Sequence, residues 1–159
     1  MKKVFSLLLI AFFSAIAHAE TGTVESISGG FYQLTTNDFG DSKYTVLVTK
    51  LAGTTLKSDV SFIKQGASFV AECAGSSITD TKGNKVDGTC LVTDSDGDKY
   101  KLNFSRSNAI GGNNPGVQSW VGMTGKYVGA TGNCTYENKS QVLNGVVYAT
   151  NAVKCSVSK

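Results

Sequence analysis

Four glycines fall within eleven residues of this chain, at 122, 125, 129 and 132. An α-helix does not carry such a run, because each glycine costs about 1 kcal/mol against alanine. Tyr127, Val128, Thr131 and, just beyond, Thr135 are residue types that suit pleated strands. The stretch predicts a glycine-bent corner that feeds a strand, as at the rim of a small barrel. The rest of the chain agrees. It has 18 glycines and one proline, β-branched residues abound, and few segments show a 3.6-residue period. The fold class expected is all-β, antiparallel and built from hairpins.

The first nineteen residues stand apart. Lys2 and Lys3 make a positive start, Val4 to Ile16 is almost wholly apolar, and Ala17-His18-Ala19 fits a small-x-small cleavage site. Residues 1–19 therefore read as a cleaved signal peptide, and the apolar run is too short to span a bilayer as a helix. Residues 20–159 suffice for one domain with one core. The expected location is periplasmic or secreted, with no membrane insertion after cleavage.

Cleavage changes the chemistry available. Lys2 and Lys3 depart, so the mature chain carries 12 acids and one more base than that. A nearly neutral chain with scattered charges has no electrostatic footprint for nucleic acid. The only histidine, His18, departs as well. That removes Ser-His-Asp and Cys-His catalysis and histidine-ligated zinc.

Strands are expected at Thr21–Ser28, Phe31–Thr36, Lys43–Thr49, Asp59–Lys64, Ala67–Cys73, Thr89–Thr93, Lys99–Ser105, Asn133–Glu137 and Val146–Val153, with a short Val142–Leu143 piece. Gly29-Gly30 is read as a break, Gly75 to Asp87 as a polar excursion, and Asn108–Gly116 as a rim loop. About eight strands in a closed antiparallel barrel fit this pattern, since closure removes exposed edges. A two-sheet sandwich is the alternative.

Four cysteines, Cys73, Cys90, Cys134 and Cys155, argue for two disulfides in an exported chain. Three pairings exist on paper. Asn144-Gly145 is a strong two-residue hairpin signal. Counting outward from it, Leu143 faces Val146 and Cys134 faces Cys155, at a non-hydrogen-bonded site where Cα atoms approach to about 4.5 Å. A bulge in Glu137–Gln141 would break that register. Cys73 and Cys90 then pair by elimination. No Cys-x-x-Cys is present to suggest redox activity.

The run Gly122-Met123-Thr124-Gly125-Lys126-Tyr127-Val128-Gly129-Ala130-Thr131-Gly132-Asn133-Cys134-Thr135-Tyr136 resembles a signature of allene oxide cyclase-like and dirigent-like β-barrels, Gly-Gly-Thr-Gly-Lys-Tyr-x-Gly-x-x-Gly-x-x-x-Tyr. Secreted bacterial proteins share it. Upstream, Asp94-Ser95-Asp96-Gly97-Asp98-Lys99 resembles the acidic hairpin that precedes the signature in those proteins. The likeness covers roughly residues 88–137 and implies a barrel. No catalytic residue of the plant enzymes matches a position here, so none is carried over.

Asp94, Asp96 and Asp98 are spaced like the start of a calcium loop. The glycine falls at the fourth position, however, and Ser105 stands where a bidentate glutamate belongs. The stretch is read as a solvated hairpin turn, with no metal and no cofactor. Glu25, Glu72 and Glu137 serve as acids or bases only if buried. Trp120, Lys126, Tyr127, Tyr136 and Tyr148 are the candidate ligand-binding residues. The aromatic rings suit an apolar or sugar-like ligand at a barrel mouth, or else plain core packing, and Lys126 is an amine nucleophile, an anion contact or, more commonly for such a residue, a plain solvated lysine.

The function expected is non-enzymatic: a small barrel that binds a small apolar ligand or an extracytoplasmic protein. One alternative is a cyclase-like or dirigent-like protein that steers a reactive small molecule by shape. Another is an inhibitor of a foreign enzyme acting through a rim loop.

Overall fold

A computed structural model of the 159-residue chain describes residues 19–107 and 114–159. The expected signal peptide, Ala19 apart, lies outside the described residues. So do positions 108–113 of the expected rim loop.

Eight strands follow one another around a closed barrel: β1 Thr21–Asp38, β2 Lys43–Ser58, β3 Ser68–Asp80, β4 Gly83–Asp94, β5 Lys99–Arg106, β6 Asn114–Gly122, β7 Thr131–Leu143 and β8 Val146–Ser158. Each pairs antiparallel with the next, and β8 closes on β1 from Thr21↔Ser158 to Tyr32↔Val147. Glu20 and Lys159 extend that seam by exchanging N–H···O bonds of 2.8 and 2.9 Å.

The strands are longer than the sequence suggests. β1 runs through Gly29-Gly30 without a break, paired on both sides. Gly30 occupies an inward position where a Cβ would meet the Lys50 carbonyl, so this glycine gives close approach rather than a turn. The polar stretch from Gly75 to Asp87 is the far end of the β3–β4 hairpin, not an excursion. Asn114–Gly116, assigned to the rim loop from sequence, opens β6. In β2 the side holding Leu47 and Thr49 is buried, whereas Tyr44, Val46 and Val48 look outward.

Asp59–Lys64 is not a strand. Val60, Phe62 and Ile63 are all buried, which no period of two allows. The segment instead packs these side chains into the core at the end of the barrel where β2 leaves and β3 begins. The glycine-bent corner closes the same end with a 3-10 turn, Gly125–Tyr127.

The interior is filled by a recurring device. Phe69 lies across from Gly53, Phe104 from Gly88, Trp120 from Gly132 and Tyr136 from Gly116. A Cβ on any of these glycines would run into the facing ring. Each glycine makes room for an aromatic side chain inside a narrow barrel.

Both disulfides join directly opposed residues, Cys73–Cys90 across β3–β4 and Cys134–Cys155 across β7–β8, with Cα atoms 4.0 Å apart in each. The Asn144-Gly145 turn sets the second, with φ of 51° and 78° at its two residues and no register break in β7. All four cysteines are buried in the core. Two such bridges indicate an oxidising, extracytoplasmic environment. No helix among the described residues is long and apolar enough to cross a membrane.

Candidate functional site

The barrel interior has a closed end, an apolar middle and a polar far end. At the closed end Tyr100, Trp120 and Tyr127 form a ring cluster, with centroids 4.9, 5.0 and 6.1 Å apart. Beneath it Asp94, 7% exposed, is the one buried acid among the described residues. Its Oδ1 accepts the backbone N–H of Asp96 at 2.9 Å and of Asp98 at 3.0 Å. Its Oδ2 lies 2.6 Å from Lys126 Nζ, which also meets Asp96 Oδ2 at 2.5 Å.

Burial pushes the Asp94 carboxyl up, but hydrogen bonds from Lys126, Tyr127 and the two backbone amides outweigh it and hold it below its usual value. Burial lowers Lys126, yet Asp94 and Asp96 carry it above the ordinary lysine value. Burial and the nearby Asp94 charge raise the Tyr100 hydroxyl. Burial, with Tyr100 and Asp94 adding to it, does the same to Tyr127. These groups hold one another. The lysine ammonium fills the space between the two carboxylates.

The far end is built differently. Leu102, Phe104 and Arg106 alternate inward along β5, so the chain's single arginine points into the barrel. Arg106 is 8% exposed. Its Nη1 donates to Asn138 Oδ1 at 3.1 Å. Asn138 Nδ2 donates in turn to Asn151 Oδ1 at 2.8 Å and to the Tyr32 hydroxyl at 3.2 Å. Asn138 and Asn151 face each other across β7–β8. Burial raises the Tyr32 hydroxyl against the opposing pull of Arg106. It pushes Tyr136 up to about 12.

Between the two ends lies a cavity of about 110 Å3. Its walls are mostly apolar: Leu51, Ala71, Val92, Leu102, the Cys73–Cys90 bridge and Cys155. Trp120, Tyr127 and the Lys126-paired Asp94 bound it on the closed side, and Tyr32, Tyr136 and Arg106 on the polar side.

Of the residues picked from sequence, Trp120, Tyr127 and Tyr136 line this cavity together. Lys126 does not line the cavity, and its side chain, 20% exposed, is committed to Asp94 and Asp96 rather than solvated. The Asp94–Asp98 turn is accordingly not a plain solvated hairpin. Tyr148 is 43% exposed and stands outside the barrel, opposite Phe31. Glu25, Glu72 and Glu137 also lie on the outside, the first two in ion pairs with surface lysines. Tyr32, Arg106, Asn138 and Asn151 were not anticipated. The readable signal was the alternation Leu102-Phe104-Arg106, which carries a charge to the inward side of β5.

No protein-family model and no curated protein sequence matches the chain. Among solved structures, one from Clostridium acetobutylicum ATCC 824, a protein with unknown function, superposes with a TM-score of 0.55 at 10% identity, over 87% of this chain and 99% of that one. The chain thus shares its eight-stranded antiparallel barrel with that protein, a likeness of fold.

Proposed function

We propose that this is a non-enzymatic extracytoplasmic barrel that takes a small, largely apolar molecule into its interior. The observation that carries the reading is the cavity of about 110 Å3 in an otherwise filled core. Protein interiors close-pack, and an apolar void of roughly 150 Å3 is enough to bind benzene. The rings of Trp120, Tyr127 and Tyr136 give such a ligand flat apolar contact.

The state of Asp94 favours binding over catalysis. A general base inside the barrel needs a free carboxylate within reach of a substrate. Asp94 is consumed by Lys126 and two backbone amides. The apparent leader over residues 1–19 and the two disulfides support a periplasmic or secreted location. The closed eight-stranded architecture supports placing the protein beside the allene oxide cyclase-like and dirigent-like barrels.

Trp120 is the only tryptophan and lines the cavity, so its fluorescence reports occupancy. Titration with toluene is expected to give a saturable change in Trp120 emission and a rise in Tm. A flat titration, with no Tm shift at saturating toluene, removes the reading. Native mass spectrometry of protein exported by its own host then identifies the resident molecule.

A further inference from the structure

The unusual group in this barrel is Arg106. An arginine does not shed its proton, so its charge persists wherever it is placed. Burying it costs several kcal/mol unless a counter-charge compensates. No ion pair among the described residues supplies one. All twelve acids of the chain lie among the described residues, since neither residues 1–18 nor 108–113 contain one. The ion pairs present join lysines to Asp38, Glu72, Glu25, Asp87, Asp94 and Asp96, and none reaches Arg106.

The cation is nonetheless held in place. Asn138, 1% exposed, accepts from Nη1 and is itself fixed by Asn151 and Tyr32. The carboxamide oxygen orients the guanidinium without neutralising it. One of five N–H donors is used in that contact. The guanidinium borders the apolar cavity, and every other basic side chain among the described residues stands outside it.

We propose that Arg106 is the anchor for a small organic carboxylate, whose apolar body occupies the cavity between the two disulfides and Trp120. This rests on the reading of the cavity as a ligand site and adds the ligand's charge and size. A guanidinium accepts a carboxylate through two parallel N–H···O bonds, and desolvation strengthens them. The cavity volume limits the body to about a benzene ring or a short branched chain. A bare inorganic anion would leave the apolar space empty. A long lipid tail exceeds it. The ligand supplies the counter-charge that the chain withholds, so binding and relief of an unpaired buried cation are the same event.

The test compares three probes of the wild-type protein by calorimetry and Trp120 emission: benzoate, its neutral isostere benzamide, and inorganic phosphate. Benzoate is expected to bind at least about tenfold more tightly than benzamide, the difference a charge-assisted contact makes. Arg106→Met is expected to bring benzoate down to the benzamide level, removing the preference for the charged probe. Benzamide binding as tightly as benzoate overturns the carboxylate anchor and leaves the apolar-ligand reading standing. Phosphate binding as tightly as benzoate also overturns it, in favour of a simple anion site. Failure of toluene, benzamide and benzoate alike removes the cavity reading and this inference with it. The wild-type comparison needs no variant, so it decides the matter even if Arg106→Met does not fold.

Discussion

Lys126 Nζ stands 2.6 Å from Asp94 Oδ2, and this contact ties the glycine-bent corner to the β4–β5 hairpin. The two side chains are 20% and 2% exposed. Backbone contacts support the same junction: Lys126 N–H donates to Asp98 Oδ2 at 3.1 Å, and Lys99 N–H to Thr124 Oγ1 at 2.8 Å. Met123 and Thr124 both donate to the Lys99 carbonyl. The acidic turn and the glycine run, forty residues of sequence between them at most, thus form one lid over the closed end.

Removing Lys126 should therefore be costly. Lys126→Ala leaves Asp94 buried beside two acids with no cation. Breaking a buried pair by deleting one partner costs about 3–5 kcal/mol, and the partial exposure of Lys126 puts this case at about 3 kcal/mol. Urea unfolding should show that loss with an unchanged m-value. A loss below about 0.5 kcal/mol would mean that Lys126 behaves as a surface lysine.

The same junction sets an acid limit. The folded carboxyl of Asp94 titrates below its ordinary value of 3.8. A depressed acid contributes stability that is present above the unfolded pKa and is lost as pH falls through the folded one. The wild type should therefore exceed Asp94→Asn in Tm at neutral pH, and the gap should close as pH falls below about 3.8. A gap that stays constant down to the acid limit would show that Asp94 is not the titrating group.

Much of this fold is legible because hairpin chemistry is local. Asn144-Gly145 fixes a two-residue turn, the turn fixes the register, and the register brings Cys134 to Cys155. The candidate site was only half legible. Trp120, Tyr127 and Tyr136 stand out as aromatic residues, but Tyr148 is equally aromatic and one alternation places it outside. Which side of a strand is buried depends on closure, and no local rule supplies that. Arg106 was passed over because a charged residue at a strand end ordinarily marks solvent. Lys126 misled for a related reason: its partners Asp94 and Asp96 are distant in sequence. Gly29-Gly30 looked like punctuation because a glycine that makes room and a glycine that turns the chain are written with the same letter.

That distinction can be tested. Gly132 houses the Trp120 ring, and a Cβ there collides with the indole. Gly132→Ala should destabilise by about 1–3 kcal/mol through overpacking and should shift Trp120 emission. Gly40 has φ of +88° and open space around it, so Gly40→Ala meets only the conformational cost, about 1 kcal/mol, with no change in emission. Gly125 combines both demands, with φ of +52° and the Asp98 carboxylate where a Cβ would go. Its alanine variant should be the least stable of the three. Equal losses at Gly132 and Gly40, with Trp120 emission unmoved in both, would show that the barrel yields to the extra methyl.

The last prediction concerns the ligand-free state. If Arg106 served the fold, removing it would weaken the protein. An unpaired buried charge is instead a liability, and replacing buried ionic groups by apolar ones of similar volume is often neutral or stabilising. Arg106→Met keeps most of the stem's packing and deletes the charge. Against that gain, Asn138 Oδ1 loses its donor at 3.1 Å, a cost of about 1–3 kcal/mol if nothing replaces it. The two effects oppose each other, so the ligand-free variant should unfold within about 1 kcal/mol of the wild type. At one fixed benzoate concentration the Tm of the wild type should then rise by more than that of the variant. Sites kept for binding commonly hold groups that the fold alone does not need. A loss of more than about 2 kcal/mol in the ligand-free Arg106→Met protein would assign the guanidinium a structural role, with Asn138 and its partners as the network it sustains.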